Sequence, residues 1–176
     1  MSGHNKWSKI KHKKAVSDSK KSAVYSKLVK LIQIESKNSS GDVSSPGLRS
    51  VVEKAKAENM PKETIDRAIK KGVSNDTASM EHVVYEAYGP GGCAMVIEGI
   101  TDNKNRSAAE IKHILSKNSF SLATPGSAIW AFKKTGDGWV AKTTTQITDP
   151  DAEKLEKLIE EITKQDDVQE VYINTA

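Results

Sequence analysis

The 176-residue chain has one cysteine, two phenylalanines and no arginine before Arg49. A single thiol excludes an internal disulfide framework and any cysteine-rich zinc site, and Cys93 reads as a small buried hydrophobe in a strand. No run approaches the roughly 18 apolar residues that a membrane span needs, and the N-terminus has no apolar core of a secretory signal. These features predict a soluble protein of a reducing compartment, the cytoplasm. His4, His12, His82 and His113 are scattered, with no HExxH pair and no Cys–His or Ser–His–Asp constellation. The reading is therefore a protein that is not an enzyme, with no metal, no cofactor and no small-molecule substrate. The hydrophobic fraction of 36% against 28% charged residues is polar yet sufficient for a core.

What the chain does have is charge of one sign at one end. Up to Lys30 there are nine lysines against one acid, Asp18, a net of +8 inside a total of only +4. The remaining residues carry 18 bases and 22 acids, a net of −4. An acidic body repels phosphates, so a polyanion should be met by the N-terminal end only.

Residues 1–14 show no apolar period and read as a basic arm. From about Ala15 the pattern is helical, with Val24, Leu28, Leu31 and Ile32 on one stripe, ended by the turn-forming run 38–42. Pro46 opens a second helix with Leu48, Val51, Val52 and Ala55 inward. Pro61 opens a third with Ile65, Ala68 and Ile69, and Gly72 suits a residue just past its end. A polar stretch, 73–79, separates this helical domain (15–75) from a second one (80–176). There the spacing predicts strands over 82–88 and 93–100 flanking a glycine-rich turn, then a helix capped by Ser107 and Glu110. Strands over 128–133 and 138–143 follow, then a helix from Asp149 with Leu155, Leu158, Ile159 and Ile162 inward, and a last strand over 168–173. After the first of these strands the order is β-α-β-β-α-β. The predicted class is α+β: three helices followed by a ferredoxin-like (split βαβ) antiparallel sheet, decorated by the extra strand.

The arm interleaves Gly3, His4, Lys6, Trp7, Lys9, Lys11, His12, Lys13 and Lys14, and Lys20, Lys21 and Lys27 continue the charge along the first helix. Lysines neutralise phosphates and release counterions, Trp7 suits stacking on an unpaired base, and Gly3 permits close backbone approach. The competing readings are a solubilising charge run and a Trp7 that docks back on the helices. Without arginine the arm has no bidentate guanine reader, which favours recognition of phosphate and shape, in duplex DNA or structured RNA alike. A candidate second contact is Gly89-Pro90-Gly91-Gly92 with Asn103 and Arg106. The glycine run lacks GxxxxGK[ST] and precedes a strand, which rules out a nucleotide P-loop. Its plainer reading is a hairpin turn with glycines at positive φ, and Arg106 reads as a tie for the 102–103 turn. Asp166-Asp167 reads as a turn before the last strand, and the acids of 153–161 as the solvated face of a helix.

Four strings resemble the YebC/PmpR family: SGHNKWSKIKHKKAVSDSKK at the start, NMPKETIDRAIKKG, YEAYGPGGCAMVIEGITDNKNRSAAEIKHILSKN, and DDVQEVYIN near the end. The resemblance implies a regulator of gene expression, a transcriptional regulator binding DNA. The alternative it implies is a ribosome-associated translational activator gripping ribosomal RNA, since a mitochondrial relative activates translation and bacterial ones act on the ribosome at proline-rich sequences. Asn5 replaces the family's usual serine. Family members also carry a further α/β domain inserted in the ferredoxin-like one, whereas here 132–139 runs directly from strand to strand. The resemblance is thus to a short form lacking the middle domain.

Overall fold

The computed structural model describes residues 18–74 and 79–176, with side chains from Lys21 onward. The arm and the 75–78 segment lie outside the described residues. The described residues form two compact units, one of 18–83 with 100–104 and the other of 84–99 with 105–176.

The first unit holds α1 (Asp18–Asn38), α2 (Pro46–Ala57) and α3 (Lys62–Val73). Helices of 12 residues do not persist alone in water, so each depends on the stripe it shares with its neighbours. Leu28, Ile32, Leu48, Val51, Ala55, Met60, Ile65 and Ala68 are buried together, with Val24, Leu31, Val52 and Ile69 at the margin. All three predicted stripes therefore face one core. Past the end of α1, Gly41 at φ 80° returns its N–H to the Ser36 carbonyl at 2.8 Å, a closing bond that orphan helix carbonyls require. The Tyr25 hydroxyl donates to the carbonyls of Glu58 and Asn59, at 3.0 and 2.8 Å, fastening α1 to the α2–α3 turn.

Gly72 departs from expectation. It lies inside α3, with ordinary helical φ, and its role is close approach. A Cβ there would stand 2.4 Å from the Gln33 carbonyl oxygen and 2.8 Å from the Ser36 Cβ on α1. Beside it the Ser36 hydroxyl, fully buried, donates to the Ile69 carbonyl at 2.7 Å.

The second unit is built on the greater part of β1 (Glu81–Tyr88), β2 (Ala94–Thr101) and α4 (Lys104–Lys117), with β3 (Phe132–Thr135), β4 (Gly138–Ala141), α5 (Asp149–Thr163) and β5 (Val168–Ile173). The class is α+β, as expected. β2 and β5 pair antiparallel from Met95↔Ile173 to Glu98↔Glu170. The other edge of β2 is taken by β1, giving the order β1-β2-β5, and β3 pairs only with β4 in a separate antiparallel ribbon. In a closed split-βαβ sheet β4 would lie beside β2; here the strand read as decoration holds that place.

Side-chain alternation gives the sheet two apolar faces. Met95, Ile97 and Val171 point to α4 and α5, meeting Ile111, Ile114, Leu115, Leu155, Leu158, Ile159 and Ile162. Ala94, Val96 and Tyr172 point to the ribbon, meeting Ala128, Ala131, Phe132 and Trp139. The ribbon is thus a lid on the second face, not a continuation of the sheet.

Two local expectations are corrected. α4 begins at Lys104, so Ser107 is a buried first-turn residue and not a cap. Ahead of the helix the Thr101 hydroxyl closes a local turn, accepting from the Asn103 N–H at 3.0 Å and donating to the Asn103 carbonyl at 3.1 Å. The segment expected to be strand from Ala128 starts as a 3-10 turn, Ile129–Ala131, because its N–H groups are drawn to a carboxylate, that of Glu86.

Candidate nucleic-acid interface

The arm residues Gly3, His4, Lys6, Trp7, Lys9, Lys11, His12, Lys13 and Lys14 lie outside the described residues, as does the Lys20 side chain. Of the named cations, Lys21 is exposed in the first turns of α1, and Lys27 and Lys30 are half-buried along it. The apolar stripe of α1 is spent on the helical core, so its lysines are left at the start and flanks of the helix. The structure adds exposed cations that an arm-centred reading passed over. Lys54 and Lys56 end α2, and Arg67 and Lys70 occupy the outer face of α3. Cations at helix C-termini also offset the helix dipole, which is why their sequence signal is weak.

The second candidate contact is not brought together. Gly89–Gly92 precede β2 and Arg106 follows it, at opposite ends of one eight-residue strand. Gly91 and Gly92 have φ of 69° and 75°, as a tight turn demands. A Cβ on Gly91 would also fall 2.6 Å from Ile147 Cγ2. The N–H groups of Gly89 and Gly92 are already given to the carbonyls of Cys93 and Gly89, at 2.8 and 3.0 Å, and so do not face a phosphate. Next to this turn Cys93 is fully buried, and burial pushes its thiol up to about 11, so it stays a neutral thiol at ordinary pH.

Asn103 is exposed, its backbone engaged with Thr101. Asp166 and Asp167 form the expected turn before β5, and the Arg106 guanidinium reaches the buried Asp167 carboxylate at 3.1 Å. Arg106 thereby ties α4 to the residue that enters β5. Arg106→Gln should lower stability by about 1–2 kcal/mol, because it withdraws a charged partner from a buried carboxylate. Denaturant titration at pH 7 checks this, and polyanion affinity should change less than twofold.

Among the described residues no group of three His, Cys, Asp or Glu side chains is placed to hold a metal, and no helix is long and apolar enough to cross a membrane.

Comparison with known proteins decides the family. The model of the TACO1/YebC N-terminal domain matches residues 5–75, and that of the TACO1/YebC second and third domain matches 80–138 and 137–175. The chain belongs to the TACO1/YebC family. A relative from Thermosipho africanus, named a probable transcriptional regulatory protein, is 36% identical over 235 positions, covering 99% of this chain and 93% of the relative. One of the same name from Desulfatibacillum aliphaticivorans is 52% identical over 138 residues, covering 77% of this chain and 56% of the relative. A crystal structure of a conserved hypothetical protein from Aquifex aeolicus superposes with a TM-score of 0.88 at 27% identity, covering 97% of this chain and 96% of that one.

An alignment of 235 positions over a chain of 176 leaves about 60 positions of the Thermosipho relative without a counterpart. The two matched pieces of the family model meet at 137–138, in the turn between β3 and β4. This TACO1/YebC chain is a short form.

Proposed function

We propose that this protein is a non-enzymatic, nucleic-acid-binding regulator of gene expression, a cytoplasmic transcriptional regulator that holds DNA through residues 3–14 and the first turns of α1. The observation that carries the reading is the segregation of charge, +8 up to Lys30 against −4 in the rest. Family membership, with relatives named probable transcriptional regulatory proteins, supports the regulatory role. A lysine-rich, arginine-free arm neutralises phosphates without reading guanine edges, so binding should be strongly salt-dependent and weakly sequence-dependent.

Replacing Lys9, Lys11, Lys13 and Lys14 together by Gln should weaken duplex binding. It should also flatten the slope of log affinity against log salt by about 0.9 for each phosphate no longer neutralised, up to about 3.6 in all. Fluorescence anisotropy between 50 and 200 mM salt (roughly the range over which such interactions dominate) reads both quantities; an unchanged slope removes the arm as the binding element. Crosslinking in cells, with promoter occupancy measured alongside, identifies the polymer. Ribosomal RNA crosslinks without promoter peaks would replace the transcriptional reading by that of a ribosome-associated translation factor.

A further inference from the structure

The second unit, acidic in sum, has one basic island. From Lys112 to Thr148 the chain carries five lysines, Lys112, Lys117, Lys133, Lys134 and Lys142, against the single acid Asp137. Three of the five lie on or beside the β3–β4 ribbon. Register separates their roles. Phe132, Lys134, Trp139 and Ala141 share the side that faces the sheet, where Lys134 is bonded to Glu98 and sits 4.8 Å over the Trp139 ring. Lys133 pairs across the ribbon with Val140, and both are exposed on the other side, Val140 at 57%. Lys142 is exposed at the end of β4, its N–H donated to the Ala131 carbonyl at 2.8 Å. Neither Lys133 nor Lys142 has an acidic partner among the described residues.

The residue before Ala131 is Trp130, 55% exposed. Its indole N–H donates to the Tyr88 hydroxyl at 3.1 Å, and Tyr88 in turn donates to the Ser127 carbonyl. An exposed indole is ordinarily mobile and costs rotamer entropy when it binds. This one is already anchored at its polar edge while the residue stays more than half exposed. Isolated exposed apolar residues need no explanation. Here, though, a fixed aromatic ring stands with two cations that lack acidic partners at one end of a two-stranded ribbon, in the long positive stretch of an acidic unit.

We propose that the open end of this ribbon, where β3 begins and β4 ends, is a second binding site, taking single-stranded nucleic acid: Trp130 stacks on an unpaired base, and Lys133 and Lys142 meet the flanking phosphates. A duplex keeps its base faces stacked and offers the ring nothing, whereas an unpaired strand offers a π-face at every base. The family-model pieces meet at the far end of this ribbon, where the short form has a hairpin closed by Gly136 and Asp137 alone. The proposal rests on the nucleic-acid reading above and adds to it a preference for unpaired strands.

The test is anisotropy of the full chain with labelled oligo(U) and with a duplex of the same length. Trp130→Ala should weaken oligo(U) binding about 5- to 20-fold and leave the duplex within twofold, since only an unpaired base loses its stacking partner. Trp130→Phe, which keeps a ring, should restore most of the affinity. The surface variant Lys133→Gln with Lys142→Gln should bind oligo(U) about 3- to 10-fold more weakly at low salt without touching the sheet-facing side. Equal oligo(U) affinity in wild type, Trp130→Ala and the double lysine variant would overturn the site. So would a concentration-dependent dimer that Trp130→Ala dissolves, since the face would then belong to a second copy. An arm variant that keeps its duplex affinity overturns the arm alone; the oligo(U)-to-duplex ratio of Trp130→Ala still decides the ribbon.

Discussion

Replacing Glu86 by alanine is expected to cost about 3–5 kcal/mol of unfolding free energy, a large loss for a change that removes a carboxylate from a strand. The residue is only 7% exposed, and its carboxylate accepts three backbone N–H bonds: from Gly126 at 2.6 Å, Ala128 at 2.8 Å and Ile129 at 2.7 Å. These donors belong to the segment that leads into Trp130 and β3, so one carboxylate on β1 shapes the entry to the ribbon. Charge-assisted bonds of this kind contribute about 1.5–3 kcal/mol each, and the truncated variant leaves the donors without that acceptor; partial relaxation of the loop brings the net below the sum. Glu86→Gln should cost about 2–3 kcal/mol, since it keeps the shape but places an amide N–H₂ against backbone donors.

The same carboxylate carries a pH signature. Burial alone would raise its pKa, but the three N–H donors outweigh burial and hold it below the ordinary value of 4.5. A folded pKa below the unfolded one means stability that is fully present above the unfolded value and is lost as pH falls through the folded one. The gap between wild type and Glu86→Gln should therefore be widest at pH 7 and shrink below about pH 4.5, as protonation removes what Gln already lacks. A gap constant from pH 7 down to acid unfolding would mean the carboxylate charge is not what holds the loop.

Gly72→Ala is the second large effect, and its sign runs against helix propensity. In an exposed helix interior alanine is favoured over glycine by about 1 kcal/mol. Here the new Cβ would fall 2.4 Å from the Gln33 carbonyl oxygen and 3.1 Å from its carbon, backbone atoms of α1 that have no rotamer to change. Either α3 moves off α1, opening the core around Ile32, Ile65 and Ala68, or the backbone strains. The expected net is a loss of about 2–4 kcal/mol in the helical unit, and Gly72→Val should be worse. Urea titration followed by far-ultraviolet circular dichroism measures it. An Ala variant as stable as wild type would show that the two helices have slack at that crossing.

Much of the architecture was legible because the signals are local. Stripes at helical spacing placed the three N-terminal helices and both later ones, since an apolar face must find a core whatever its partner. Pro46 and Asp149 marked helix starts: Pro46 opens α2, and α5 runs from Asp149, where the structure adds a Thr148 hydroxyl accepting the Asp151 N–H at 3.3 Å. The candidate site was less legible. Arm residues are recognised by charge alone, which needs no fold, but Trp130 looked like one more strand residue in a run of apolar ones. Its anchoring by Tyr88 and the assignment of Lys133 and Lys134 to opposite sides of the ribbon depend on register, which sequence alternation leaves two ways open.

The sequence by itself determined the charge division, the order of elements and the apolar face of each, because these depend on nearest neighbours and on composition. Only the tertiary structure decided which strands pair, why Gly72 and Glu86 must be glycine and glutamate, and that Arg106 is joined to a buried Asp167. The last three are approaches between residues far apart in the chain, Gly72 to Gln33, Glu86 to Ala128 and Arg106 to Asp167. Such approaches form when two faces are pressed together, and the groups that satisfy a buried carboxylate or tolerate a 2.4 Å approach leave no periodic trace along the chain. The lysine-rich end is readable because charge declares itself in composition; the ribbon and its tryptophan are readable only once the sheet has two faces to cover.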